Sequence, residues 1–264
     1  MNDQRDFLEN PPEEQPENFC NQDFTDAEAE RGQRHTERLL EEIFGPAEPL
    51  VLHSIVPFCI GGALDLYYYA NSRFGGTFFA SQELTSPDFL PSNRSLDAFE
   101  LAIATRLKAE PQPALTVSGD PTETKKPGFF KRLIGREKSV ESPEEKKRDD
   151  LHRVLTNLAF YVCSDGVEVN GYDTLEFPQD FDDEQLAGRC FIFDELPAAA
   201  PVPIPTSPDE RTPLDGKRFG VLLAIEVFRE EMNWAREEGT EKLVERLKTA
   251  GAYPFSDLDR ESVV

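Results

Sequence analysis

Apolar residues first fall into a helical register between residues 25 and 44. Thr25 followed by Glu28 has capping-box spacing, and Leu39, Leu40, Ile43 and Phe44 form one apolar stripe before Gly45-Pro46. This pattern predicts a helix ending near Phe44. From Leu50 the period shortens to that of strands, in LVLHSIV, LDLYYYA, GTFFASQEL and FELAIATRL, with Gly61-Gly62, Gly75-Gly76 and proline-rich turns between them. Four strands so connected predict an antiparallel meander. In the fourth, alternation sets Phe99, Leu101, Ile103 and Leu107 on one face and Glu100, Ala102, Ala104 and Arg106 on the other. The expectation is a sheet with one face buried by helices.

Residues 108–148 have mixed charge and little apolar periodicity, and they are too long for an ordinary loop, so a mobile insertion is expected there. Asp149 or Asp150 then caps a predicted helix in which Leu151, Val154, Leu155, Leu158 and Val162 recur at helical spacing. GRCFIFDEL and FGVLLAIEVF read as two further strands. The prolines between them exclude a helix or a central strand and predict a second mobile insertion over residues 197–216. REEMNWAREEG and TEKLVERLKTAG close the pattern as two short helices broken at Gly239. In the first of these Trp234, the only tryptophan, reads as a core residue or an interface anchor. The fold class is therefore α/β (α+β), with a central, largely antiparallel sheet flanked by helices. Residues 1–24, rich in proline and carboxylates, are expected to form a disordered acidic arm ahead of one domain over residues 25–264.

Composition narrows the function classes. The apolar content of 38% supports a real core, while a formal net charge of −23 argues against nucleic acid and favours a basic protein partner. No apolar run approaches the roughly 20 residues that cross a bilayer. The opening MNDQRDFLEN has no basic region leading into an apolar one, so a cytoplasmic protein is expected. Cys20, Cys59, Cys163 and Cys190 are scattered rather than at CxxC spacing and read as reduced thiols.

Two segments carry candidate binding chemistry. Asp65, Glu83 and Glu100 lie on neighbouring predicted strands, and alternation puts Tyr67 and Tyr69 on the face of Asp65. Tyrosine supplies contact area at small entropic cost and carboxylates receive basic side chains, so this set is a candidate partner-binding face. The plainer alternative packs the tyrosines under a helix and turns the carboxylates to solvent. In the insertion, Phe129, Phe130, Leu133 and Ile134 alternate with Lys131 and Arg132 and further basic residues over 125–138. As a helix this run is basic and amphipathic, suited to weak peripheral contact with an anionic membrane or to a partner groove.

Catalytic alternatives find little support. With 51 acidic residues, paired carboxylates at glycosidase distance arise cheaply by chance. His35, His53 and His152 are too dispersed for a local zinc pattern, so neither a metal nor another cofactor is expected. Cys59 and His53 on one strand lie about 20 Å apart, and GxSxG and GxxxxGK[ST] are absent. A hydrolase-like enzyme with dispersed acidic or Cys/His residues is the alternative to a binding protein.

Several segments in order, IFGPAEPLVLHSIV, LDLYYYANSRFGGTFFASQEL, FELAIATRLK, LHRVLTNLAFYV and EEMNWAREEGTEKLVERL with SDLDRESVV, resemble the suppressor-of-fused domain family. The resemblance implies a mixed α/β domain without catalytic residues that acts by binding protein. In animals the domain is one lobe of a cytoplasmic regulator holding a transcription factor. Bacterial members are proposed as immunity proteins that neutralise a toxin.

Overall fold

Hydrophobic alternation with β-branched and aromatic residues builds seven strands into one mixed sheet, ordered β1-β2-β3-β4-β7-β6-β5. They are β1 Leu50–Leu52, β2 Leu66–Tyr69, β3 Thr77–Ser81, β4 Ala98–Thr105, β5 Thr174–Glu176, β6 Cys190–Pro197 and β7 Phe219–Glu226. Among the described residues four helices accompany them: α1 Asp26–Phe44, α2 Pro143–Cys163, α3 Arg229–Glu238 and α4 Thr240–Thr249. The computed structural model describes residues 26–45, 50–52, 64–70, 72–85, 91, 93–107, 143–163, 167–207 and 210–264. The acidic arm, the insertion to residue 142, Cys20, His53, Cys59 and Gly61-Gly62 lie outside them.

Strands β1 to β4 pair antiparallel in sequence order, as the meander predicts. β5, β6 and β7 are likewise antiparallel. One parallel pairing, β4 with β7, joins the two halves and aligns Ala98 with Phe219 and Ile103 with Ala224.

Contrary to the expectation of one covered face, both faces of the sheet are buried. Tyr67, Tyr69, Phe78, Ala102, Ile192 and Leu223 pack with Leu40 and Phe44 of α1, Met232 of α3 and Leu243 of α4. On the opposite face Tyr68, Phe79, Phe99, Leu101, Phe191 and Leu222 meet Leu151, Leu155, Leu158 and Val162 of α2. Every residue of β4 and β7 is buried. Alternation there separates two cores rather than core from solvent.

Helix α2 begins at Pro143, ahead of the expected cap at Asp149 or Asp150. Proline tolerates the first helical position because its missing N–H has no intrahelical partner there, and the EEKKRDD run that follows has mostly good helix formers. The added turn is tethered electrostatically: Lys147 pairs with Asp257, and Asp150 accepts Arg189 Nη2 at 2.8 Å. Asp257, 2% exposed, also accepts Thr105 Oγ1 at 2.6 Å and the Arg106 amide at 2.7 Å. Burial alone would raise its carboxyl pKa, but Lys147, Thr105 and the Arg106 amide together hold it below the ordinary value. The proline-rich connection after β6 stays out of the sheet. It is tied down by Ala198 N to Phe219 O, by Val202 N to Lys217 O, and by the buried Val202 and Leu214.

Gly76 shows how tightly β3 meets the end of β4. It has φ +66°, and an added Cβ would stand 2.5 Å from Thr105 O and against the Phe255 ring. Gly75, with φ +78°, has nothing within 4 Å of the same atom. Gly76→Ala is expected to cost about 2–4 kcal/mol, combining left-handed strain with displacement of backbone. Gly75→Ala should cost only about 1 kcal/mol. Urea unfolding of the two variants checks this; equal losses would show that the close approach carries no energy.

Candidate functional site

Tyr67 and Tyr69 do share a face, with ring centroids 6.5 Å apart, but that face lies beneath α1. Tyr67 is 3% and Tyr69 0% exposed; the Tyr67 hydroxyl donates to Glu37 Oε1 at 2.6 Å, and Tyr69 rests 4.9 Å from Phe44. Glu100 is fully buried, not turned to solvent. Its Oε2 accepts Ser81 Oγ at 2.5 Å and Leu84 N at 3.2 Å, and its Oε1 accepts Thr85 N at 3.0 Å and Thr85 Oγ1 at 2.7 Å. Burial pushes its carboxyl pKa up and these four donors oppose the shift. Asp65 and Glu83 remain half-buried, with the Asp65 amide donating to Glu83 Oε2 at 3.3 Å. The five residues therefore do not form one exposed binding face. The physical reason is that β2, β3 and β4 are interior strands covered on both sides. Phe129, Phe130, Lys131, Arg132, Leu133 and Ile134 lie outside the described residues.

An exposed acidic and aromatic surface lies at the opposite end of the sheet. β5 is three residues long and pairs with β6 only as far as Ile192. Phe193 exchanges two further bonds with the preceding turn, receiving Tyr172 N at 2.7 Å and donating to Asp173 O at 3.0 Å. Beyond that point the backbone groups of Glu195 face away from β7, on a side where no described strand pairs with them. Its N–H is occupied by Asp194 Oδ1 at 3.0 Å. Pro197 ends the strand at a position that likewise faces away from β7 and requires no ladder donor.

The turn before β5 holds this edge in shape. Asn170 N donates to Asp173 Oδ2 at 2.8 Å, and Gly171 N donates to Glu195 Oε1 at 2.8 Å. Asn93 Nδ2 reaches the same Glu195 oxygen at 3.0 Å. Tyr172, between Gly171 and Asp173, is 43% exposed and carries φ +66°, a conformation uncommon for an aromatic residue and held by the surrounding bonds. Partial burial and then the Asp194 charge raise its hydroxyl pKa. Asp194 also accepts the Tyr253 hydroxyl at 2.8 Å. Glu168 is exposed and paired with Arg94 at 2.5 Å, and Asp173, next to Tyr172 in sequence, is exposed as well. The result is a strand edge whose main-chain donors are already taken, by the turn at Phe193 and by Asp194 at Glu195, or absent, at Pro197, and beside it stand an exposed tyrosine and the exposed carboxylates of Glu168 and Asp173. Such a surface offers aromatic contact area and charge complementarity to a basic segment.

Nothing in the hydrophobic periodicity singles out this region, because its one strand is too short to show alternation. The available signal was the Asn170-Gly171 dipeptide, a strong turn marker set just before Thr174-Leu175-Glu176.

The described cysteines are unsuited to nucleophilic chemistry. Cys163 and Cys190 are free thiols. Burial, and then the nearby Glu100, push the Cys163 thiol up to about 12, so it is protonated at neutral pH. Trp234 is half-buried against the α1, α3 and α4 core, with the Arg246 guanidinium 4.4 Å from its ring centroid. Among the described residues, no group of three or more His, Cys, Asp or Glu is arranged to hold a metal ion, and no helix is long and apolar enough to cross a membrane.

A family model described as Suppressor of fused protein (SUFU) matches residues 132–261. No curated protein gives a significant match. Among solved structures, one described as the Sufu-Fu complex crystal structure aligns with a TM-score of 0.49 and 14% identity, covering 88% of this chain and 92% of that one.

Proposed function

We propose that this chain, which carries a suppressor-of-fused-like domain, is a non-catalytic binding protein that captures a basic segment of another protein at the sheet edge formed by β5 and the turn before it. The observation that carries this reading is the exposed Tyr172, held at positive φ next to the exposed Asp173 and within reach of the Asp194 charge, with Glu168 exposed nearby in sequence. The match of the family model over residues 132–261 supports it, since that span contains the whole edge. A chain of net charge −23 also attracts basic partners and disfavours nucleic acid. The role fits either an immunity protein neutralising a basic toxin or a regulator sequestering its partner, acting in the cytoplasm.

The test is capture of the partner from the native host, followed by titration of the purified pair. Tyr172→Ala is expected to weaken binding by about 2 kcal/mol, the loss of a central aromatic anchor. Joint reversal of Glu168 and Asp173 to lysine should slow association about tenfold and flatten its dependence on salt. Unchanged affinity and salt slope in both variants would remove the edge from the interface.

A further inference from the structure

Helix α4 turns one charged stripe toward the tyrosine of the proposed binding surface. Glu241, Glu245 and Lys248 stand at i, i+4 and i+7, and their charges, after that of Asp194 on β6, act on the Tyr172 hydroxyl. The surface therefore extends from the turn before β5 across to α4. Part of it is already occupied by a cation of the chain itself: Lys248 Nζ lies 5.0 Å from the Tyr253 ring centroid and 3.0 Å from Glu245 Oε1. The Tyr253 hydroxyl donates to Asp194 at 2.8 Å, so the ring beneath that ammonium is held in place. All of this is open to a partner, with Tyr172 43% exposed and the Glu245 and Lys248 side chains 66% and 41% exposed.

What holds Lys248 there is weak. An exposed pair three residues apart on a helix contributes little, because solvent screens it and two long side chains must be ordered to make it. A lysine ammonium is strongly hydrated and meets an aromatic face as a point charge. A guanidinium is planar and less hydrated, stacks on the ring and takes both oxygens of a carboxylate. An arginine carried by a basic segment is therefore the better ligand for the same ring and carboxylate. We infer that Lys248 is an internal substitute ligand, filling the place on Tyr253 and Glu245, beside Tyr172, that an arginine side chain of the partner takes when it binds. This role rests on the proposed capture of a basic segment here, and it adds the partner's anchoring residue and the residue of this chain that competes with it.

Nα-acetyl-arginine amide, titrated into the full chain and followed by the ring proton shifts of Tyr172 and Tyr253, tests the competition. It is expected to bind Lys248→Ala about fivefold more tightly than the unchanged protein, since the competing cation and its hold on Glu245 are both gone. Lys242→Ala is the control: it removes the same charge from the same helix, but this lysine pairs with Glu238 and lies off the stripe. Affinity there should change by less than about twofold, because exposed charges farther from the ligand are screened. Nα-acetyl-lysine amide should bind more weakly than the arginine compound, and Nα-acetyl-citrulline amide, similar in shape but uncharged, should shift neither ring. Equal tightening in the two variants, no tightening in Lys248→Ala, no response to the arginine compound, or an equal response to lysine or citrulline overturns the assignment. The surface itself is judged separately, by partner affinity in Tyr172→Ala. A loss there with no gain in Lys248→Ala removes the role of Lys248 and leaves the surface standing, whereas unchanged affinity in Tyr172→Ala removes the surface and the role together.

Discussion

Glu100→Ala is expected to lower the unfolding free energy by about 3–5 kcal/mol, the range for truncating a buried side chain and orphaning its hydrogen-bond donors. The carboxylate is fully buried and fastens residues 81–85 to β4 through two amides and two hydroxyls. Its arrangement makes the isosteric change informative as well. Each carboxylate oxygen receives one backbone N–H and one hydroxyl, and only the hydroxyls can turn around. Glutamine therefore presents its NH2 to an amide donor in either orientation. Glu100→Gln should lose about 2–3 kcal/mol despite its matched volume. Urea denaturation measures both variants. A near-neutral Glu100→Gln would mean that the four donors do not need a carboxylate.

Glu231→Ala should cost a comparable 3–5 kcal/mol, as expected when one partner of a buried ion pair is removed. Glu231 has no solvent exposure and accepts Arg260 Nη1 at 2.5 Å and Nη2 at 2.7 Å. It also accepts the Phe228 amide at 3.0 Å, which caps α3, and the Val263 amide at 2.9 Å, which holds the segment after α4. Arg260, with 11% of its side chain exposed and its guanidinium 4.9 Å from the Phe228 ring centroid, would be left as an uncompensated buried cation. The double variant Glu231→Leu, Arg260→Leu removes both charges and should recover part of the loss. Thermal and urea unfolding of the single and double variants check the expectation. No recovery in the double variant would assign the loss to the Phe228 and Val263 amides instead of the ion pair.

Where sequence reading succeeded, one period controlled the outcome. The stripe Leu39, Leu40, Ile43 and Phe44 marked α1 to its last residue, and the alternation in FELAIATRL assigned Phe99, Leu101 and Ile103 to one core. The same alternation misled at Glu100, because it separates two faces without saying that both are covered. What buries Glu100 is the set of donors at residues 81–85, supplied by a chain reversal that no spacing announces. The start of α2 was missed for a different reason: its opening sequence is polar, and Lys147 is tied by an ion pair to Asp257, far along the chain. The acidic edge was legible only as a turn, since its character comes from where β5 stops and not from any residue's periodicity.

The parallel pairing of β4 with β7 also has a consequence for how the molecule assembles. Either half of the sheet closes through antiparallel neighbours not far apart in sequence, whereas this central seam needs both halves built before it can form. Contacts of such high order are slow to nucleate and tend to come last. They are also forgiving of what lies between, because loop-closure entropy grows only with the logarithm of length and each doubling adds roughly 0.6 kcal/mol. Evolution can therefore lengthen or shorten the stretch joining β4 to α2 at small thermodynamic penalty, while a single misplaced residue along the seam is felt by both halves at once.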